Sequence, residues 1–534
     1  MRALIQIIVL SFTSLSLLAQ PLTQVQKLLA SDAQSFDQFG YSVSISGDRA
    51  VVGADREDAG GSNAGAAYVY ERDGAGIWQE VQKLVATDAQ GSDLFGISVS
   101  ISGDRLVVGA VDEDAGGSAA GAAYVYERNG AGIWQEVQKL VATDAQAFDF
   151  FGHSVSISGD RLVVGAYRED AGAFDAGTAY VYERDGTGIW QEVQKLVASD
   201  AQTSDWFGES VSISGDRLVV GARYGDDGGT NSGAAYVYER DGAGVWQEVQ
   251  KLLASDAQSS DWFGFSVSIS ADRLVVGAYG EDAGGSTAGA AYVFERDGAG
   301  VWQEVQKLEA SDAQALDQFG FSVSISGVRV VVGASREDAG ASDAGAAYVY
   351  EGNGAGVWQE VQKLVASDAQ ANDQFGFSVS VSGDQVIAGA RYEDAGGGDA
   401  GAAYMYEVVP TAITWTGTNG TDWNDGANWS TGSVPAAADE IIIPTTPSGG
   451  NFPSVDFDLT VEDLTVEPGA TVDIEPGNVL AIGASGSIDA QGTITLRSDA
   501  TGTAMLDDFT NNDAGYDGDI TVEVYVTGGL TGQN

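Results

Sequence analysis

The stretch FGYSVSISGDRAVVGADREDAGGSNAGAAYVYERDGAGIWQEVQKLVATDAQ, residues 39–90, decides the fold, because it keeps returning at one spacing. Its opening Phe-Gly recurs at Phe39, Phe95, Phe151, Phe207, Phe263, Phe319 and Phe375, a period of 56 residues held without insertion. A fixed period of this kind marks a stacked or radial array, in which no unit buries its core alone. Within one copy, Ser42-Val43-Ser44-Ile45-Ser46 alternates small polar with apolar residues, the period of a strand. Ser46 to Arg49 reads as a tight turn, and Ala50 to Ala54 as a short strand buried on both faces. A polar, Gly-rich loop covers 55–64. Ala66 to Tyr70 is a third strand, Asp73 to Gly76 a turn, and Trp78 to Leu84 a fourth strand. Four antiparallel strands per unit make the blade of a β-propeller.

The two ends of the array separate a ring from an open stack. Six fourth strands carry Trp, at 78, 134, 190, 246, 302 and 358, but the seventh copy stops after Tyr404-Met405-Tyr406. Leu22-Thr23-Gln24-Val25-Gln26-Lys27-Leu28 stands one period ahead of Trp78 and can supply the missing strand. The sequence thus predicts an all-β fold, a seven-bladed β-propeller over residues 20–409. The N-terminal strand closes the last blade, so no terminal unit needs a cap.

The chain carries a net charge of −52, from 77 acidic and 25 basic residues. Phosphates are repelled by such a surface, so neither nucleic acid nor an anionic membrane is expected as a partner. Cysteine is absent, which excludes disulfides and thiolate metal sites. Residues 1–19, with Arg2, the apolar run from Leu4 to Leu18 and Leu17-Leu18-Ala19, read as a signal peptide. The expected location is secreted, extracellular or on the outer cell surface, and no later stretch reaches membrane-span length. The seven lysines, Lys27, Lys83, Lys139, Lys195, Lys251, Lys307 and Lys363, fall one per fourth strand and read as charges guarding an outer edge.

Phe-Gly, a strand, Val-Val-Gly-Ala and then Gly-Ala-Ala-Tyr-Val-Tyr is the order of the FG-GAP repeat. The array resembles the seven-bladed propeller of integrin α-subunits and their bacterial relatives, over about 390 residues. The resemblance implies the fold; FG-GAP propellers serve as adhesins, enzyme appendages and scaffolds. One feature departs from the family. Integrin blades often hold calcium with an Asp-x-Asp-x-Asp-Gly loop between the first two strands, whereas here that position holds Ser46-Gly47-Asp48-Arg49 and its repeats. One carboxylate beside an arginine cannot form a shell of six to eight oxygens, so that calcium site is not carried over.

Variation among the copies gathers in the loop before Phe-Gly and the loop after Val-Val-Gly-Ala, which emerge on one face of the disc. Loops on a rigid scaffold are the usual place for binding. The candidate ligand face therefore holds Trp206, Trp262, Tyr167, Tyr224, Tyr279, Tyr392, Phe36, Phe148 and Phe150, read as exposed aromatics. Trp206 and Trp262 lie on neighbouring blades and offer apolar area with an N–H donor. Asp32 and Asp37 read chiefly as turn caps. Asp37 with Glu57 and Asp58 forms a weak calcium candidate; no other cofactor is expected. The only histidine, His153, follows the third Phe-Gly and reads as a loop or inner-strand substituent. Acid pairs recur sevenfold, whereas a catalytic pair is normally one asymmetric site.

After Pro410 the composition shifts. Trp415, Trp423 and Trp429 lie in a segment resembling one found in secreted proteins of Bacteroidetes-type bacteria, and short Val/Ile/Leu strands follow. Residues 410–534 are expected to form a smaller β-rich domain, a parallel β-helix or a sandwich. In such relatives a type IX sorting domain often follows; the polar end Gly528 to Asn534 carries none, so the expectation is an incomplete chain or one without surface retention. The leading functional reading is a secreted or cell-surface, non-catalytic binding or adhesion protein with an extracellular protein or polysaccharide ligand. A calcium-dependent polysaccharide-binding module is the alternative, and a degradative enzyme the third class.

Overall fold

Six 56-residue copies each fold as one four-stranded antiparallel sheet, and a seventh such sheet joins the three strands of the last copy to a strand from the N-terminal end. The computed structural model describes residues 21–408 except 75 and 355, then 413–436, 439–497, 505–506 and 516–522. The expected signal segment and the C-terminal end Gly528 to Asn534 lie outside the described residues. The chain divides into two compact units between residues 408 and 409.

Blade 1 runs outward through Ser42–Ser46, Arg49–Ala54, Ala66–Arg72 and Trp78–Leu84. Blade 7 is built from Phe375–Ser382, Gln385–Ala390 and Ala402–Val408, and its outer strand is Leu22–Leu28, antiparallel to Ala402–Val408. The N-terminal strand therefore closes the ring as expected. Small residues on the second strand let neighbouring blades approach. A Cβ on Gly53 would lie 1.9 Å from the Gly96 carbonyl oxygen of the next blade. Gly40 has φ +91°, and a Cβ there would lie 2.2 Å from the Ala402 oxygen. These two contacts explain the glycines of Phe-Gly and Val-Val-Gly-Ala.

The Phe of each Phe-Gly is fully buried between blades; Phe39 meets Tyr68 and Tyr70 edge-on at 5.4 and 6.2 Å between centroids. The inner-strand serines stitch the blades around the axis: Ser42 Oγ donates to the Gly96 carbonyl at 2.7 Å, and Ser44 Oγ accepts from the Ile101 N–H at 3.1 Å. On the turn face, Arg72 donates through Nε and Nη2 to Glu407 at 3.0 and 2.9 Å. Arg49 faces Asp104 of the next blade at 3.3 Å. The Asp48 series thus serves inter-blade ion pairs.

The lysines correct the edge-guard reading. Lys83 Nζ contacts Asp32 at 2.7 Å and Glu57 at 2.8 Å and lies over the Tyr68 ring at 5.4 Å. Each lysine folds back along its blade and ties the two variable loops to the outer strand. In blade 4 Gly225 replaces the glutamate, and Lys251 pairs instead with Asp227, two residues further on.

The second unit resolves the choice between helix and sandwich. Ile413–Thr414, Glu440–Ile443, Leu459–Val466, Val479–Leu496 and Tyr516–Val522 pair in succession, all parallel. Ser454–Val455 and Thr471–Ile474 add a second parallel ladder to Val479–Leu496. Successive parallel rungs from one chain make a β-helix; a sandwich would be built mainly from antiparallel pairs. Trp415, Trp423 and Trp429 are buried in its core, with Trp429 at 4.9 Å from Trp415 and 4.7 Å from Trp423 between ring centroids.

Candidate binding site at the mouth of the axial channel

Three variable positions of each blade converge where the inner strands begin. The residue after each Phe-Gly points to the axis, giving the ring Tyr41, Ile97, His153, Glu209, Phe265, Phe321 and Phe377. Tyr167, Trp206 and Arg223, from the flanking loops, extend this ring into a cavity of about 450 Å³. The strands behind the ring are nearly identical in all blades, yet its seven side chains are not. One wall is aromatic: Tyr41 to Phe377, Phe377 to Phe321 and Phe321 to Phe265 lie 5.1, 4.9 and 4.9 Å apart between centroids. The opposite wall holds His153 and Glu209, from blades 3 and 4.

The polar wall is shaped by burial. Glu209 is 8% exposed, and its Oε2 lies 3.1 Å from Arg223 Nε without the alignment of a hydrogen bond. Burial pushes its carboxyl up to about 8 despite the pull of Arg223, so it carries its proton at neutral pH. Burial, reinforced by the positive charges of Arg223 and Arg168, pushes His153 down to about 4, leaving it neutral. The wall thus sets one guanidinium beside two groups that burial biases toward their neutral forms.

Trp206 is the centre of the loop cluster. Its ring lies 4.9 Å from Tyr167 and 4.6 Å from Tyr224. The guanidiniums of Arg168 and Arg223 sit 5.0 and 4.7 Å from its centroid, and Arg168 also lies 5.2 Å from Phe150. Trp206 and Trp262 have φ +59° and +57°, a left-handed backbone shared by Gln38, Leu94, Phe150, Gln318 and Gln374. The turn imposes this conformation in every blade whatever residue fills it, at a cost of roughly 1 kcal/mol for a bulky side chain. Five buried polar atoms without a hydrogen-bond partner gather at this face: Asp55 Oδ1, Arg168 Nε, Glu209 Oε2, Arg223 Nε and Trp262 Nε1. Burial lifts the Asp55 carboxyl to about 6. Across the mouth, Arg391 lies 3.7 Å from the Phe377 centroid and donates to Gln374 Oε1 at 3.0 Å.

The structure places these aromatics on the loop face, deeper than the sequence reading has them. Tyr167, Trp206, Tyr224, Trp262, Tyr279, Tyr392 and Phe150 are half-buried rather than exposed, because they pack on one another and on arginine. Trp262 pairs with Tyr279 at 4.8 Å, and its indole N–H is buried rather than offered to solvent. Tyr392 lies against Arg391, 4.4 Å from guanidinium to centroid. Phe36 and Phe148 remain 62% and 58% exposed and do not line the cavity. His153 is an inner-strand residue, and it lines the cavity. The arginines and Glu209 escaped the sequence reading; the scatter of residue types after Phe-Gly, within an otherwise fixed strand, was the signal for Glu209, and the scatter after Val-Val-Gly-Ala that for the arginines.

The acids named for calcium are engaged within the blade. Asp37 accepts from the Gln34 N–H at 2.7 Å, Glu57 from the Ala59 N–H at 2.7 Å and from Lys83, and Asp58 from the Asn63 N–H at 2.8 Å. Among the described residues no group of three or more His, Asp or Glu side chains is placed to hold a metal ion. Among them also, no helix is long and apolar enough to cross a membrane.

The repeat, its seven closed blades and the buried Phe-Gly seams define a propeller class. The FG-GAP repeat model matches residues 22–70, 78–126, 134–182, 190–238, 246–294, 302–350 and 358–406, and the chain belongs to the FG-GAP repeat family. Residues 414–520 match a domain of unknown function, DUF8693. No curated protein matches the chain. Among solved structures, a chain of the mitotic checkpoint complex is 13% identical with a TM-score of 0.45, over 73% of this chain and 92% of that one. A Lactobacillus plantarum protein is 15% identical with a TM-score of 0.40, over 64% of this chain and 87% of its own. Likenesses at this level carry no information on ligand.

Proposed function

We propose that the chain is a secreted or cell-surface, non-catalytic binding or adhesion protein that receives its extracellular ligand at the mouth of the axial channel. The observation that carries this reading is the contrast between scaffold and axis. Seven blades share strands, turns and lysine ties, while the ring from Tyr41 to Phe377 holds five residue types, Phe recurring only in blades 5 to 7, and the loops around Trp206 vary as well. A residue set serving only the fold would repeat with the fold. Concave, largely apolar pockets with a few convergent polar groups are the usual form of a ligand site. Export through residues 1–19 belongs to the same proposal.

Attachment tests it. Purified wild type and Trp206→Gln/Trp262→Gln are compared on the same panel of glycan- and protein-coated surfaces, with melting curves alongside. Weakened attachment with an intact fold is expected; Gln already occupies this position in three blades, at Gln38, Gln318 and Gln374. Unchanged attachment moves the site elsewhere.

A further inference from the structure

We infer that the cavity takes a carboxylate carried on a ring with an apolar face, the chemistry of a hexuronate unit of an acidic polysaccharide. Arg223 in the cavity wall, with Arg168 beside it on the Trp206 ring, holds the carboxylate, and the aromatic wall covers the pyranose. This deepens, and rests on, the reading of the mouth as the binding site.

Charge is the first support. Every lysine and the arginines of both repeated series are engaged by carboxylates, as Lys83 is by Asp32, Arg49 by Glu71 and Arg72 by Glu407. Among the described residues Arg56, Arg168, Arg336 and Arg391 form no ion pair, and all four follow Val-Val-Gly-Ala or its equivalent on the variable face. The guanidiniums that carboxylates leave unpaired thus all lie on the variable face, in blades 1, 3, 6 and 7, and Arg168 is the one that shares the Trp206 ring with the cavity residue Arg223.

Geometry narrows the anion. The guanidiniums of Arg168 and Arg223 lie 5.0 and 4.7 Å from the Trp206 centroid among further aromatic neighbours, and the Nε of each is buried without a hydrogen-bond partner, that of Arg223 in an ion pair with Glu209. Guanidinium edges pre-set by stacking match the two oxygens of a carboxylate. Glu209, nine-tenths buried, lines the cavity, its Oε2 lying 3.1 Å from Arg223 Nε without a hydrogen bond. Phe265, Phe321, Phe377 and Tyr41 face it across the axis, a surface suited to the C–H face of a pyranose. The 450 Å³ volume falls within the range of small-ligand pockets. An aliphatic carboxylate would leave the aromatic wall uncovered, and a neutral sugar would leave the arginines unmatched.

The probe is a galacturonate tetramer, titrated calorimetrically and by tryptophan fluorescence into the full chain in EDTA, so that calcium bridging plays no part. Its methyl ester is the neutral comparison. The acid should bind, and esterification or Arg168→Gln should each weaken it roughly tenfold or more, the loss of a charge-assisted contact. Arg168 has no ion pair to lose but stacks on Phe150, Tyr167 and Trp206, so melting curves accompany the titrations, and Arg168→Lys, which keeps the charge, should bind the acid more tightly than Arg168→Gln. Equal binding of the ester, an unchanged titration in Arg168→Gln, or no binding of the acid overturns the uronate assignment. The Trp206→Gln/Trp262→Gln attachment assay reports on the site itself. Weakened attachment beside a silent tetramer keeps the site and discards the ligand; unchanged attachment discards both.

Discussion

Gln362 and Leu22 exchange two hydrogen bonds: the Gln362 amide accepts from the Leu22 N–H at 2.7 Å and donates to the Leu22 carbonyl at 2.7 Å. The same exchange joins Gln26 to Trp78, Gln82 to Trp134 and so on around the disc. Leu22 stands where the other outer strands begin with tryptophan, and the seam between the first and last parts of the array is built like any other.

A chain starting at Ser31 lacks this strand and exposes the edge of Ala402–Val408. Its thermal midpoint should fall by many degrees and its solubility should drop. Equal midpoints for the two chains would contradict closure by Leu22–Leu28.

The lysine ties are unequal in a predictable way. Lys83 holds Glu57, whose side chain is 3% exposed, so Lys83→Met strands a buried carboxylate and should cost about 2–3 kcal/mol in chemical denaturation. Lys251 pairs with Asp200 and with Asp227, the latter 38% exposed, and Lys251→Met should cost under about 1 kcal/mol. A reversed order would show that the tie does not hold the buried glutamate.

Glu209 makes stability depend on pH with a known sign. Its folded carboxyl titrates near 8 against an ordinary 4.5, so the native state holds a proton that the unfolded chain has released. Stability is therefore lost as pH rises from about 4.5 to 8. The His153 contribution rises between about 4 and 6.5 and is shared by wild type and variant. Glu209→Gln should match wild type at pH 4.5 and melt several degrees higher at pH 8. A constant difference across that range would place the Glu209 proton elsewhere.

Calcium titration calorimetry should show no tight, integrin-type sites. The Asp48 series faces arginine of the preceding blade, as Asp104 does Arg49 and Asp160 does Arg105. Several high-affinity sites, lost when these aspartates are changed to Ala, would return the family's calcium loop to this chain.

The strands and the ring were legible because they rest on local alternation and one constant period, visible in Ser42 to Ser46 and in the displaced copy Leu22 to Leu28. What Lys83 does was not, since its partners Asp32 and Glu57 lie 51 and 26 residues away and only the blade brings them together. The depth of Trp206 was hidden for the same reason: its neighbours Tyr167 and Arg168 belong to another blade. Glu209 was written in the sequence, within a strand whose other positions repeat. Attention to loops alone passes over a strand residue that faces an axis.

The axial ring also gives a nearly symmetric disc a heading. Rotating the scaffold by one blade restores the strands, the seams and the lysine ties, but it moves the polar wall of His153 and Glu209 away from its place opposite Phe377. An asymmetric ligand entering along the axis thus meets one azimuth out of seven. A circular permutant beginning at any other blade would keep that azimuth, because it is fixed by the order of blades around the ring and not by where the chain starts.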